Sequence, residues 1–123
     1  MEFKKVLERR RSFRKFKSAE IPEKTIREIL QLAQLAPSAG NLQAYRVRIV
    51  KSRDVKEKLK DATFNKQESI TSAPVVLVIC ACPEESGKKY GERGRELYSI
   101  QDATIFASYL QLALASMDLA SVW

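Results

Sequence analysis

The residues with the clearest capacity for chemistry form a basic run near the N-terminus. Residues 9–16 read Arg-Arg-Arg-Ser-Phe-Arg-Lys-Phe, with guanidinium groups at Arg10, Arg11 and Arg14 and a hydroxyl group at Ser12. The planar guanidinium fork matches two phosphate oxygens at once, so this run is typical of a phosphate site. A solvated basic surface and a nucleic-acid contact are the alternatives, although no recognisable nucleic-acid module accompanies the run.

The distribution of charge supports a local anion site. Residues 1–17 contain eight basic and two acidic side chains, whereas the rest of the chain contains 14 basic and 13 acidic ones. The formal net charge of +7 is therefore concentrated near the N-terminus. Such a pattern indicates one bound anion rather than a generally basic surface.

A second candidate lies in the small, polar run Ala-Pro-Ser-Ala-Gly-Asn-Leu-Gln-Ala-Tyr at residues 36–45. Small residues between a helix and a strand let the backbone approach a flat ligand closely. A simple connection between the two elements is the alternative.

Several kinds of chemistry are excluded or disfavoured. The chain has no histidine, which removes histidine-based triads and nearly all zinc and iron sites. Cys80 and Cys82 are two residues apart on one face of a predicted strand, where a pair without further ligands is usually part of a core. With two cysteines and no signal peptide at the start of the sequence, we expect a cytoplasmic protein without a disulfide scaffold.

The elements that position these residues follow from hydrophobic periodicity. We expect helices over residues 2–9, from Pro22 to about residue 36, and over 53–63 with Val55, Leu59 and Ala62 on its inner side. Residues 45–51 alternate between apolar and basic side chains, which predicts a half-buried strand. The apolar run 75–82 predicts a central strand covered by helices on both faces. Residues 84–96, polar and rich in glycine, are predicted to be a mobile surface loop.

A long helix is predicted from Leu97 to Asp118. Residues 103–117 contain no charged side chain, yet this span is shorter than the roughly 20 apolar residues that a membrane crossing needs. A helix buried nearly all round needs more material than this short chain offers, so we expect a homodimer built on it, with Ala107 facing the partner.

In their order and spacing, these segments resemble the FMN-dependent nitroreductase family. The resemblance covers essentially the whole chain. It is carried by Arg-Arg-Ser-Phe-Arg-Lys-Phe at 10–16, Ile-Pro-Glu at 21–23, Ala-Pro-Ser-Ala-Gly-Asn-Leu-Gln at 36–43, Gln67 before Pro74, and Leu-Tyr-Ser-Ile-Gln-Asp-Ala at 97–103.

The resemblance implies the roles of particular residues. One segment matches the part of the family that contacts the FMN phosphate, the ribityl chain and the pyrimidine edge, and its residues are Arg10, Arg11, Ser12 and Arg14. Gln67 matches the position whose amide bonds to the flavin ring. The loop that reaches the flavin from the partner subunit is matched by Pro37, Ser38, Ala39 and Asn41.

The resemblance also implies a fold and an activity. We expect a single α+β domain over residues 1–123, with a central sheet flanked by helices and a homodimer formed through helix 97–118. The implied activity is hydride transfer from NAD(P)H through FMN to a nitroaromatic, quinone or similar flat small-molecule acceptor, with no membrane involved. A degenerate family fragment that binds no flavin is a further alternative.

Family members usually continue for several tens of residues beyond the position of Trp123. That part supplies a strand, backbone donors near the flavin and a further basic phosphate ligand. The resemblance therefore implies that this chain is truncated at its C-terminus or is an unusually small member of the family, and we expect the 123-residue form to show little reductase activity.

Overall fold

The computed structural model describes all 123 residues as an α+β fold, rich in helix and with a small sheet. The elements are α1 (Phe3–Arg9), α2 (Glu23–Ala33), β1 (Tyr45–Val50), α3 (Arg53–Ala62), α4 (Ser69–Ser72), β2 (Val76–Ala81), α5 (Pro83–Arg93) and α6 (Ser99–Ser116). A 3-10 turn, Ala39–Asn41, precedes β1, and a π-helical segment, Gly94–Tyr98, joins α5 to α6. The α+β class expected from the sequence is confirmed.

The core lies where α6 meets α2 and the sheet. One face of α6 contributes Ala103, Phe106 and Leu110, which pack with Ile29 of α2 and Tyr45 of β1. The rings of Tyr45 and Phe106 lie 4.4 Å apart. Because buried positions on α6 recur every three or four residues, this face is the one that the chain itself covers.

The sheet consists of two antiparallel strands. Tyr45 pairs with Ala81 at one end and Val50 with Val76 at the other. The strand predicted here is confirmed as β1, and its alternation holds from Tyr45 to Arg48, since Tyr45 is buried, Val47 is half-buried and both arginines are exposed. It fails at Ile49, which was expected on the inner face and is exposed. In this chain β2 pairs only with β1 and its residues are half-buried, so the expectation of a central strand covered on both faces is not met.

The inner face predicted for α3 is wrong. Val55 and Ala62 are exposed, and the buried residue of this helix is Lys56. Its Nζ donates to the carbonyl oxygen of Ala73, at 2.8 Å. The long lysine stem covers apolar surface while the ammonium group finds an acceptor, which a count of apolar residues cannot detect.

The loop predicted at residues 84–96 is also wrong, because this stretch is helical. Pro83 occupies the first turn of α5, and Glu84 and Glu85 follow it there, as suits the positive end of the helix dipole. Gly94 is buried, and a Cβ atom at this position would lie 2.5 Å from the carbonyl oxygen of Ser86. The glycine therefore permits close packing rather than mobility.

The helix predicted at 97–118 is confirmed as α6 with slightly shorter bounds, but it is not buried all round. Ile100, Thr104 and Ser108 form an exposed stripe, and Ile100 is 55% exposed. Ala107 is buried within the chain, so the expectation that it faces a partner is wrong. No helix is long and apolar enough to cross a membrane.

We predict that Gly94→Ala destabilises the fold, because the added methyl group meets the backbone of Ser86 and α5 must move. Overpacking of this kind costs about 1–3 kcal/mol. Urea denaturation measures the change in the free energy of unfolding. Lys88→Ala, at an exposed position of α5, is the control, for which we expect a change within about 0.5 kcal/mol. Equal stability of the two variants would contradict the close contact.

Candidate functional site

The N-terminal basic segment, residues 9–17, is held against the end of the chain. The backbone of Ser12 forms an isolated parallel bridge with that of Ser121, and the amide of Phe13 donates to the Ser121 carbonyl oxygen at 3.0 Å. Arg9 forms an ion pair with Asp118, just beyond α6. The segment is thereby fixed beside the C-terminal end of α6.

Three arginine side chains of this segment have no acidic partner within the chain. Arg11 and Arg14 are exposed and Arg10 is half-buried, and none of them forms an ion pair or a side-chain hydrogen bond. In contrast, Arg27, Arg46 and Arg95 each pair with a glutamate. The basic segment therefore keeps the positive charge that a bound anion requires.

A cavity of about 520 Å³ adjoins the basic segment. Lys15, Phe16 and Lys17 line it, together with Ser121 and apolar side chains from α2, β2 and α6. Glu20 and Asp118 also line it, so the excess positive charge comes from the unpaired arginines of the adjoining segment and not from the lining itself. Its size lies within the range of small-molecule and cofactor sites. The charge of the segment and the apolar wall thus adjoin one recess, an arrangement suited to a ligand with an anionic end and an apolar body.

Gln67 lies close to this cavity. It precedes α4, where its carbonyl oxygen accepts the amide hydrogen of Ile70 at 3.1 Å, and its side chain is exposed. Ser69 and Ile70, which follow it, line the cavity. The structure therefore brings Gln67 and the basic segment to the same side of the molecule.

The loop of residues 37–43 lies elsewhere, at the N-terminal end of α6. The amide of Ala39 donates to Oδ1 of Asp102 at 2.9 Å, and the Ser38 hydroxyl accepts the amide hydrogen of Gln43 at 3.0 Å. Leu42 and Gln43 line a second cavity of about 460 Å³, and no residue of the loop lines the first. Pro37 and Asn41 are exposed.

The predicted site residues therefore form two groups at opposite ends of α6. At a rise of 1.5 Å per residue, Asp102 and Ser116 lie about 21 Å apart along the helix axis. The basic segment is at one end and the 37–43 loop at the other. Within a single chain the structure does not bring the two groups together.

Asp102 is the residue whose importance the sequence did not reveal. A carboxylate in the first turn of a helix is commonplace, since the helix dipole favours it there. In the structure this side chain is 2% exposed and holds the loop. One feature of the sequence could have indicated this. Asp102 directly precedes fifteen uncharged residues of a helix that is largely buried, so its carboxylate could have been expected to be buried with them.

Tyr45 presents a buried hydroxyl group beside this end of α6. Its Oη atom has no hydrogen-bond partner. Burial raises the pKa of Tyr45 above its ordinary value of 10.0; the nearby Gln43 side chain opposes this shift without reaching hydrogen-bond geometry, and the charge of Asp102 adds to it. The phenol is thus held in its neutral form.

We predict that Tyr45→Phe leaves the free energy of unfolding at pH 7 unchanged or raises it by up to about 1 kcal/mol, because a buried hydroxyl without a partner is removed. Because the pKa of Tyr45 is raised in the folded state, the neutral phenol favours folding of the wild type. This contribution to the free energy of unfolding is fully present below pH 10 and is lost as the pH rises through the folded-state pKa. Urea denaturation at pH 7 and above pH 10 should show that the free energy of unfolding of the variant rises relative to that of the wild type at the higher pH. A constant difference across this range would contradict the shift.

The sequence is similar to those of known proteins over nearly its whole length. The sequence profile of the nitroreductase family matches residues 7–71 and 61–123. A Thermus thermophilus protein named NADH dehydrogenase is 42% identical over 78 residues, which are 63% of this chain and 38% of that protein. A relative from Archaeoglobus fulgidus is 31% identical over 119 residues, 97% of this chain and 64% of its own length.

Solved structures show the same fold. The FMN-dependent nitroreductase from Clostridium difficile R20291 superposes with a TM-score of 0.74 at 28% identity, over 92% of this chain and 60% of that one. The chain thus spans less than two thirds of the length of these three proteins.

Proposed function

The chain belongs to the nitroreductase family, and from this premise we propose that it binds FMN and forms part of an oxidoreductase that takes hydride from NAD(P)H. The acceptor would be a nitroaromatic, a quinone or a similar flat molecule. FMN, when bound, supplies the hydride chemistry, and the protein binds and orients it. The residues of this chain act by holding the anionic end, contacting the ring and excluding water.

The observation that carries the proposal is the basic segment next to the 520 Å³ cavity. Lys15 and Lys17 of this segment line the cavity, and its Arg10, Arg11 and Arg14, which do not line the cavity, have no acidic partner in the chain. Arg10, Arg11 and Arg14 provide charge-assisted donors of the kind that a phosphate monoester accepts. The bridge between Ser12 and Ser121 fixes where these donors lie. The residues present therefore fit the phosphate of FMN, and the apolar wall fits a planar ring.

Gln67 is proposed to bond to the ring from the same side. Its side chain is exposed and makes no hydrogen bond within the chain, so its amide is available to a ligand. An amide offers both donor and acceptor groups, which suits the alternating pattern along the edge of a flavin pyrimidine.

The 37–43 loop is proposed to act on the site of a second copy. Two α6 helices packed antiparallel about a twofold axis place the N-terminal end of one beside the C-terminal end of the other. The loop of one protomer, with Pro37, Ser38, Ala39 and Asn41, then adjoins the basic segment of its partner. The exposed stripe of Ile100, Thr104 and Ser108 offers the surface for this contact.

We predict that Arg10→Ala weakens FMN binding at least about tenfold, because one charge-assisted hydrogen bond contributes roughly 1.5–3 kcal/mol. Quenching of flavin fluorescence on titration measures the dissociation constant. Arg27→Ala is the matched control, since Arg27 is an exposed arginine already paired with Glu23 on α2. Equal affinities of the two variants would remove the phosphate assignment, and tighter binding of RNA or DNA than of FMN would favour a nucleic-acid role.

We predict that Ser108→Glu converts the homodimer to a monomer, because the substitution buries an unpaired charge at the middle of the proposed interface. Sedimentation velocity at micromolar concentration measures the mass. Gln31→Glu places the same charge at an exposed position of α2 and should leave the dimer intact. A dimer that persists in Ser108→Glu would show that this face of α6 lies elsewhere in the assembly.

A further inference from the structure

We propose that Asp102 is the positioning residue of the 37–43 loop, and that its carboxylate sets the geometry with which the loop meets a bound flavin. This inference rests on the proposed function for its link to FMN. Its structural half, the control of the loop by Asp102, stands on the contacts of this chain alone.

The bond between Asp102 and the loop joins distant parts of the sequence. Asp102 Oδ1 accepts the amide hydrogen of Ala39 at 2.9 Å across 63 residues. It is the only carboxylate among the buried residues of the chain. A charged acceptor makes a stronger hydrogen bond than a neutral one, and burial shields it from water. The loop is therefore tied to α6 at one defined point.

The loop needs such a tie because its backbone is strained. Gly40, Asn41 and Gln43 have φ angles of +60°, +54° and +49°. The left-handed region is unfavourable for residues with a side chain, so two of these three carry a cost that the surroundings must offset. A Cβ atom at Gly40 would lie 2.6 Å from the Tyr90 hydroxyl, so the Tyr90 side chain packs closely against the loop.

The arrangement is a costly way of gaining stability alone. Oδ2 of Asp102 is buried and has no hydrogen-bond partner. A carboxylate that is taken out of water and left with one oxygen unpaired is destabilising, and a neutral acceptor could bind the same amide hydrogen at lower cost. The advantage that remains is placement, since a charge-assisted hydrogen bond of 2.9 Å fixes the position of Ala39.

The position of Asp102 on α6 links the loop to the proposed dimer. Gln101 and Thr104, on either side of it in the sequence, are exposed on the face assigned to the partner. The helix that would fix the second copy therefore also fixes the loop that would reach that copy's ligand. Movement of the loop relative to α6 would become movement relative to the partner's site.

The test compares Asp102→Ala, Asp102→Asn and the control Ser99→Ala in the complete chain. Ser99 is buried one turn earlier on α6, and its hydroxyl donates to the Arg95 carbonyl oxygen without touching the loop. Hydrogen–deuterium exchange of residues 37–43 and of the paired strands reports local opening. Flavin fluorescence gives the FMN dissociation constant, and urea denaturation confirms that each variant folds.

We expect Asp102→Ala to raise amide exchange in the loop at least about tenfold without raising it in β1 and β2. FMN binding should weaken at least about fivefold, the loss of one positioning hydrogen bond. Asp102→Asn retains a carbonyl acceptor but loses the charge, so both quantities should lie between those of Asp102→Ala and those of the wild type. Ser99→Ala should leave both unchanged.

Unchanged loop exchange in Asp102→Ala would overturn the proposal, as would an equal rise in the loop and the strands. Faster loop exchange with unchanged FMN affinity would overturn the link to the flavin. If the wild-type chain binds no FMN, the proposed function fails, and the exchange measurements still decide whether Asp102 positions the loop.

Discussion

The burial of one face of α6 is the constraint on which the rest of the structure depends. Phe106 and Leu110 on this face pack against α2 and the sheet. The contacts of α6 with α2 and the sheet make up the hydrophobic core, which is small because the chain is short. Because the helix has no charged side chain from residue 103 to its end, covering one face leaves an uncharged stripe, with Ile100 at its start, exposed on the opposite face. The same helix thus organises the core of the chain and offers the surface that we propose for a second copy.

The two ends of α6 differ in charge, and this difference separates the two halves of the proposed site. The basic segment stands at the C-terminal end, where cations are favoured by the helix dipole and where Arg9 pairs with Asp118. Asp102 stands at the N-terminal end, where a carboxylate is favoured. Since one chain carries each half only once and at opposite ends, the proposed twofold assembly would bring the halves together and would create two equivalent sites.

The sequence predicted those features that depend on local periodicity and left out those that depend on tertiary contacts. Alternation at residues 45–50 and the long uncharged run before Asp118 indicated β1 and α6 correctly. The helical state of 84–96 was missed because Gly94 was interpreted as a sign of mobility, whereas its role is to admit the backbone of Ser86. Lys56 was missed because a buried lysine looks like any exposed one until its acceptor is known. Similarly, where a helix has no charged side chains, the spacing of its residues does not show whether Ala107 lies on the face packed within the chain or on the exposed face.

The candidate site shows the same division. Arg10, Arg11 and Arg14 could be proposed from their residue type and spacing, because phosphate recognition requires charged donors. Gln67 could be proposed only through the resemblance to the family. What holds these groups in place could not, since the bridge between Ser12 and Ser121 and the bond between Ala39 and Asp102 join segments remote in the sequence. The bond to Asp102 attaches one proposed ligand-binding segment to the N-terminal end of α6, and the bridge to Ser121 attaches the other to the segment that follows the helix. A substitution that shifts the ends of this helix relative to one another would therefore disturb the proposed site even where every donor is retained, because the length of α6 sets the distance between its two halves.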